Sequence, residues 1–430
     1  MLSLDTLDIT DEAAYAANGY PYPEWELLRR EAPMFWYVRP GFEPFWVVTR
    51  HADIASISRH TKLFSSAQRV TIFTPEAVEM LEVELEQRAQ MFGHDPADPS
   101  VLPVMDSPRH RHLRKVLAPC FTPKAVSELE DRFAELAATY VKEFTDRIDE
   151  HGSADVAKYL AARLPVAAIC ELLNAPVEDW DDLFNWTQGM TAAADPEFWL
   201  EGEDAEAAFR RNIGALNQYV ATLIQRRMAE GDPNGTDVLS RLATGVVEGR
   251  PLEFHEILYT VHNLLVAGIS TTRNATAGGI QALLEHPEQL RMLVEDPGLV
   301  DRAAEEILRW TTIAVSAVRT CTEDTEIGGQ RIRKGETLAM WFPAGNRDGE
   351  VFDDPYRFDI TRTVNPHVAF GGQGEHVCIG SHLARLELRA LLRAVLPVLP
   401  ELEIERSPDL GVLHLQVAEL KRLFVRRKKK

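Results

Sequence analysis

Residues 251–286 constrain the fold more than any other stretch. They read PLEFHEILYTVHNLLVAGISTTRNATAGGIQALLEH, opening on a proline, stopping before Pro287 and holding no proline between. Such punctuation marks the two ends of one helix, which at 1.5 Å per residue spans about 54 Å, enough to cross a whole domain. Ala267 and Gly268 remove bulk at mid-helix, the glycine at a cost of about 1 kcal/mol. A flat group lying close to the backbone accounts for that, and so does tight helix packing. Ser270, Thr271 and Thr272 follow. Mid-helix hydroxyls bond back to the preceding turn and bend a helix, opening a groove where water and dioxygen can sit.

A second stretch carries the chemistry. Residues 366–392 read PHVAFGGQGEHVCIGSHLARLELRALL. Leu383, Leu386, Leu388 and Leu391 fall mostly on one stripe, so a helix is expected to begin just after Cys378. Unpaired amides and the positive end of the macrodipole at a helix N-terminus lower a thiol's pKa and favour a standing thiolate ligand near neutral pH. Gly371, Gly372 and Gly374 leave little bulk before the cysteine, so amides can approach a large flat group and donate to the sulfur. A lone cysteine is more often a small buried hydrophobe. A zinc site of His367, His376, Cys378 and His382 is the other reading, weakened because structural zinc sites are richer in paired cysteines.

The chain has 430 residues, 45% of them hydrophobic, with no serine- or glycine-rich linker and no repeat, so a single unit over residues 1–430 is expected. The first residues, MLSLDTLDITDEAAY, lack a basic start and an apolar run, and no stretch approaches the roughly 18 apolar residues of a membrane span. A cytoplasmic protein with no membrane contact is expected. Cys120, Cys170, Cys321 and Cys378 are scattered, which fits a reducing compartment. A net charge of −20 disfavours nucleic acid as a partner. Basic residues nevertheless cluster at Arg109, Arg111, Arg114 and Lys115 and again at Arg385, Arg389 and Arg393. Met together, the two groups form a dock for an acidic partner; read singly, the second is an ordinary solvated helix face.

Along the chain, residues 21–32 read as a short helix, and FWYVRP and FWVVTR as strands. Regular patterning is lost over residues 67–103, where Ile72 and Phe73 sit among glutamates. In MDSPRHRHLRKVL, Asp106 or Ser107 is expected to cap a helix that begins at Pro108. His110 and Arg114, four apart, project from one face and suit a carboxylate partner. Residues 124–232 are mostly helical. In DRAAEEILRW, Glu306 and Arg309 share a helix face, and EIGGQRIRKG reads as a hairpin turning at Gly328–Gly329.

With Phe370, Gly374, His376, Cys378 and Gly380 in order, the cysteine loop resembles the haem-ligand loop of the cytochrome P-450 monooxygenases. Phe370 lies eight positions before the cysteine rather than the usual seven, where this chain has Gly371, a variant similar to that of sterol- and lipid-oxidising bacterial members. The resemblance covers nearly the whole chain. It implies a mainly α fold with a minor β part, the β-rich portion at roughly residues 33–66 and 311–345. It implies haem b held by Cys378 and lined by Ala267, Gly268, Phe370, Gly371, His376 and Gly380, with His110, Arg114 and Arg319 on the propionates. AGISTT resembles the oxygen-activating motif: Thr271 matches its threonine, while Ser270 replaces its acid. Glu306, Arg309 and Arg357 match the buried cluster that supports the cysteine loop. Residues 182–203 look like the family's distal lid, and Ile72, Phe73, Phe198, Leu264, Ala267, Ile313, Val315 and Val318 become pocket candidates.

The activity implied is insertion of one atom of O2 into a C–H bond of an apolar steroid, terpenoid or lipid. Electrons come from NAD(P)H through a reductase and a ferredoxin docked on the basic face. Ser270 keeps open a peroxide-driven or oxidative-coupling enzyme, and a haem-thiolate protein that binds without turnover.

Overall fold

The structure, a computed structural model, describes residues 2–67, 71, 72, 74, 78, 79, 83, 86, 90, 101–191, 196, 199–230, 235–413 and 415–429. The helices that carry the argument are α1 (His51–Arg59), α2 (Arg109–Leu117), α3 (Glu130–His151), α4 (Arg163–Leu173), α5 (Trp180–Thr191), α6 (Ala205–Glu230), α7 (Phe254–Glu285), α8 (Val300–Thr311) and α9 (Ser381–Val395). The strands are β1 (Met34–Tyr37), β2 (Phe45–Val48), β3 (Phe64–Ser65), β4 (Ser316–Cys321) and β5 (Thr337–Trp341). Helix dominates and the sheet is the minor part, as the sequence predicts.

α7 is the axle of the helical body. Its 32 residues span about 48 Å and pack against α4, α6, α8 and α9. It starts three residues later than the proline signal predicts, because Arg250–Pro251 pairs with Val246–Val247 as a short ribbon. A capping box then opens the helix: Glu253 accepts from the N3 amide, and the Glu256 carboxylate takes the Glu253 N–H at 2.7 Å. Two orphan donors are satisfied where the ribbon stops. Further along, a Cβ at Gly279 would lie 2.6 Å from Ile307 Cγ2 of α8, so the glycine permits that crossing.

The five strands form one sheet in the order β1, β2, β5, β4, β3. β2 and β5 run parallel and the other neighbours antiparallel. Period-two alternation along β5 divides the residues between two apolar clusters: Ala339 and Trp341 on one face, Leu338 and Met340 on the other. The largest core lies among the helices. Among the described residues no helix is long and apolar enough to cross a membrane.

Candidate active site

The cysteine loop closes on α1. Gly374 has φ 111°, and a Cβ there would lie 2.4 Å from the Ser58 carbonyl oxygen, so only glycine fits against the helix end. Gly372 is equally tight on the Ser58 hydroxyl. These two glycines therefore serve packing on α1. The Cys378 N–H donates to the Phe370 carbonyl at 3.0 Å, the Gly380 amide donates to the sulfur, and α9 begins at Ser381. The Cys378 side chain is exposed. Burial pushes the thiol pKa up, over the Gly380 amide and the charges of Arg114 and Arg385. The Gly380 amide and the two arginine charges work against that burial, and a cation bound to the sulfur would favour the ionised form further.

Four basic side chains gather on the stretch that leads into Cys378. His110 of α2 stacks on His376, ring centroids 4.1 Å apart, and Ser66 Oγ lies 3.1 Å from His376 Nε2. Arg114, one turn beyond His110, donates to the Val377 carbonyl at 2.6 Å. Arg319 of β4 makes one bond, to the carbonyl of Val318. Among the described residues none of the four touches a carboxylate; the nearest acids are engaged elsewhere, Asp106 by Ser65 and Ser66 and Glu375 by Ser107 and Arg111. Asp106 and Ser107 are thus occupied across the loop, and neither caps α2. The consequences are visible in the electrostatics. Burial brings Arg319 down to about 10. Burial and then the charges of Arg319 and His110 push His376 to about 3. Among the described residues His110 Nδ1 and Arg319 Nε are buried without a hydrogen-bond partner. A donor set this basic, with orphaned donors, fits a group bearing two carboxylates, as a haem does. His367 and His376 do not converge as a zinc site requires, since His367 is held by Glu305.

Behind the loop, Glu306 and Arg309 of α8 are both 0% exposed and bidentate at 2.7 and 2.8 Å. Glu306 also accepts from the Asp359 N–H and Asn365. The third member is Arg362, whose Nε lies 3.4 Å from Glu306 Oε2. This corrects Arg357, whose side chain is exposed and which contributes only its carbonyl, to Arg309. The cause is local: Asp359 Oδ1 accepts from both the amide and the hydroxyl of Thr361, an Asx turn that curls the chain and brings Arg362 back.

On α7, Leu264, Ala267 and Thr271 fall at helical spacing on one stripe, and Ala267 is exposed in mid-helix. Thr271 Oγ1 donates to the Ala267 carbonyl at 2.7 Å and Ser270 Oγ to that of Val266 at 3.0 Å. Gly268 belongs to another face. A Cβ there would lie 2.6 Å from Ile169 Cδ1 of α4, so the glycine permits that helix crossing. Ile72, Val315 and Val318 are buried in one cluster on the far face of the sheet; alternation along β4 turns Val318 away when Arg319 points to His376. Ile313 lines a separate cavity of about 220 Å³ with Tyr20 and Trp310. Phe73 and Phe198 lie outside the described residues.

The basic face is less free than its sequence promises. Arg109 pairs with Glu248 and Glu256, Arg111 with Glu375, Arg385 with Glu305, and Arg389 and Arg393 with Asp301. Lys115 is exposed and has no carboxylate partner among the described residues.

A cysteine loop with acid-free basic side chains beside it, set in a helical body with one mixed sheet, fits a thiolate-ligated haem protein. The family described as Cytochrome P450 matches residues 61–398. The chain belongs to this family, and it is a P450 monooxygenase. It is 34% identical over 402 residues to a steroid C26-monooxygenase of Rhodococcus jostii, covering 92% of this chain and 79% of that one. It is 34% identical over 395 residues to a methyl-branched lipid omega-hydroxylase of Mycobacterium tuberculosis, covering 89% and 85%. A solved cytochrome P450 of Mycobacterium marinum, in complex with pseudoionone, superposes with a TM-score of 0.84 at 31% identity, over 99% of each chain.

Proposed function

We propose that the chain binds haem b, iron protoporphyrin IX, through the Cys378 sulfur and inserts one oxygen atom from O2 into a C–H bond of an apolar steroid, terpenoid or lipid. The carrying observation is the acid-free set of His110, Arg114, Arg319 and His376 on the stretch that leads into Cys378. These four hold the two propionates. When bound, a thiolate-ligated haem supplies the O–O cleavage chemistry. The chain supplies the setting. The Gly380 amide steadies the charge on the sulfur, and Arg114 ties the propionate edge to the loop through Val377. Glu306, Arg309 and Arg362 fix the segment before the loop. The small side chain of Ala267 leaves room beside α7 for a flat group and a substrate chain. Thr271 Oγ1 delivers a proton by turning from the Ala267 carbonyl; Ser270 Oγ positions a water but does not titrate near pH 7, so the proton is drawn from solvent.

The substrate reading leans on the relatives, named for a steroid and for a methyl-branched lipid. It is tested by titrating the purified haem protein with steroids, terpenoids and fatty acids and following the Soret band; a panel without a shift contradicts it. Electrons come from NAD(P)H by way of a ferredoxin on the cysteine side, where Arg111 and Lys115 are exposed. Ser270 favours a second reading, peroxide-driven oxidation, for which the test is turnover with hydrogen peroxide and no reductant. Substrate-coupled consumption of NAD(P)H and O2 excludes a protein that binds haem without turnover.

A further inference from the structure

Glu305 stands next to Glu306 on α8 but grips a different part of the molecule. Arg385 of α9 meets it with two prongs, Nε to Oε1 at 2.6 Å and Nη2 to Oε2 at 2.9 Å. On the other flank of the cysteine loop, His367 brings Nε2 within 3.1 Å of Oε2. The Ala369 N–H donates to Nδ1 of the same ring at 3.3 Å. Nδ1 is therefore the acceptor and Nε2 carries the proton offered to Glu305. The Arg385 guanidinium also lies over the Phe370 ring, 4.6 Å from its centroid. Phe370 is in turn the residue whose carbonyl takes the Cys378 N–H. One carboxylate thus holds both flanks of the loop and, through Arg385, the aromatic ring inside it.

The charges give this clamp a use beyond packing. The charge of Arg385 reaches the Cys378 sulfur, as does that of Arg114, which among the described residues has no acid in contact. Among the described residues Arg385 pairs with Glu305 alone, since Asp301 pairs with Arg389 and Arg393. Its side chain is 25% exposed, so water screens it incompletely. An unneutralised Arg385 would draw electron density from the sulfur, weakening its donation to whatever it ligates.

Resting on the haem-thiolate reading above, we propose that Glu305 is a positioning residue for the axial sulfur: by neutralising Arg385 and fixing His367 and Phe370, it sets the electron donation of Cys378 and hence the reduction potential of the bound haem. The experiment is spectroelectrochemical titration of the haem-loaded protein at low salt, for wild type, E305Q, R385Q and the double variant E305Q/R385Q. The ferrous-to-ferric ratio at a fixed potential should rise about tenfold in E305Q, equivalent to about 59 mV for one electron. R385Q should shift in the opposite direction, and the double variant should return towards wild type, which a merely structural role would not produce. A wild-type potential in E305Q, or an E305Q shift that persists in the double variant, overturns the proposal. Should E305Q fail to load haem, R385Q decides alone: an unshifted potential overturns the role assigned to Arg385. A wild-type protein whose reduced carbon-monoxide adduct lacks the thiolate band instead sinks the haem-thiolate reading itself, which separates the two failures.

Discussion

The reassignment of the third arginine in the buried cluster yields the sharpest stability experiment. Glu306 is 0% exposed and the Arg362 side chain 10%, so replacing Arg362 by alanine removes a desolvated partner from a desolvated acid. Breaking a buried pair costs about 3–5 kcal/mol when the remaining charge is left uncompensated. Here Arg309 still holds both oxygens of Glu306, which puts the electrostatic loss at about 2 kcal/mol. Arg362 also donates to the carbonyls of Asp353 and Asp354, at about 0.5–1.5 kcal/mol each. The expected total is about 3–5 kcal/mol, a large part of the roughly 5–15 kcal/mol that stabilises a typical protein. Arg357→Ala removes an exposed side chain and is expected to stay within about 0.5 kcal/mol. Urea unfolding of both variants, followed by tryptophan fluorescence and by loss of the haem absorbance, measures the difference. Equal costs, or a larger cost for Arg357→Ala, would refute the packing argument.

Gly268→Ala should destabilise by about 1–3 kcal/mol by forcing its Cβ against Ile169, and Ile169→Ala in the same chain should recover part of that in thermal melts; no recovery would contradict the contact. Ser270→Asp should raise product formed per O2 consumed by supplying a titratable group, while Ser270→Ala should lower it; an unchanged ratio in Ser270→Ala sinks the solvent relay. Burial opposes ionisation of Glu305, but the hydrogen bonds from His367 and Arg385 and the charge of Arg385 win and hold it at about 2, below the ordinary 4.5. A depressed carboxylate contributes stability that is present above pH 4.5 and lost as pH falls towards 2. The stability gap between wild type and Glu305→Gln should therefore narrow between pH 5 and pH 3 in urea melts, and a widening gap would contradict the sign.

Local rules carried much of the fold. The run of residues 254–285 and the leucine stripe after Cys378 are long, proline-free and periodic, so their helices were readable to within a few residues. His110 with Arg114 and Glu306 with Arg309 were readable because helical spacing alone puts each pair on one face. What escaped depends on partners distant in sequence. Arg357 and Arg362 are indistinguishable in FDDPYRFDITR until the Asp359 turn decides which one swings back. The tight crossing at Gly268 was not legible, because its partner Ile169 of α4 lies about a hundred residues away in sequence. The basic clusters looked free because Glu248, Glu256, Glu305 and Asp301 lie on other elements. The surroundings of the Cys378 thiol were legible only in part, because amides are local whereas desolvation is a property of the whole fold.

The central claim is a bond between the sulfur of Cys378 and a haem iron. Its most direct test is the absorption spectrum of the reduced carbon-monoxide adduct, recorded for wild type and for Cys378→Ser. The wild type should give the red-shifted band of a thiolate ligand, and the serine variant should lose it. A wild-type spectrum like that of imidazole-ligated globins, or one that survives the substitution unaltered, would contradict the account.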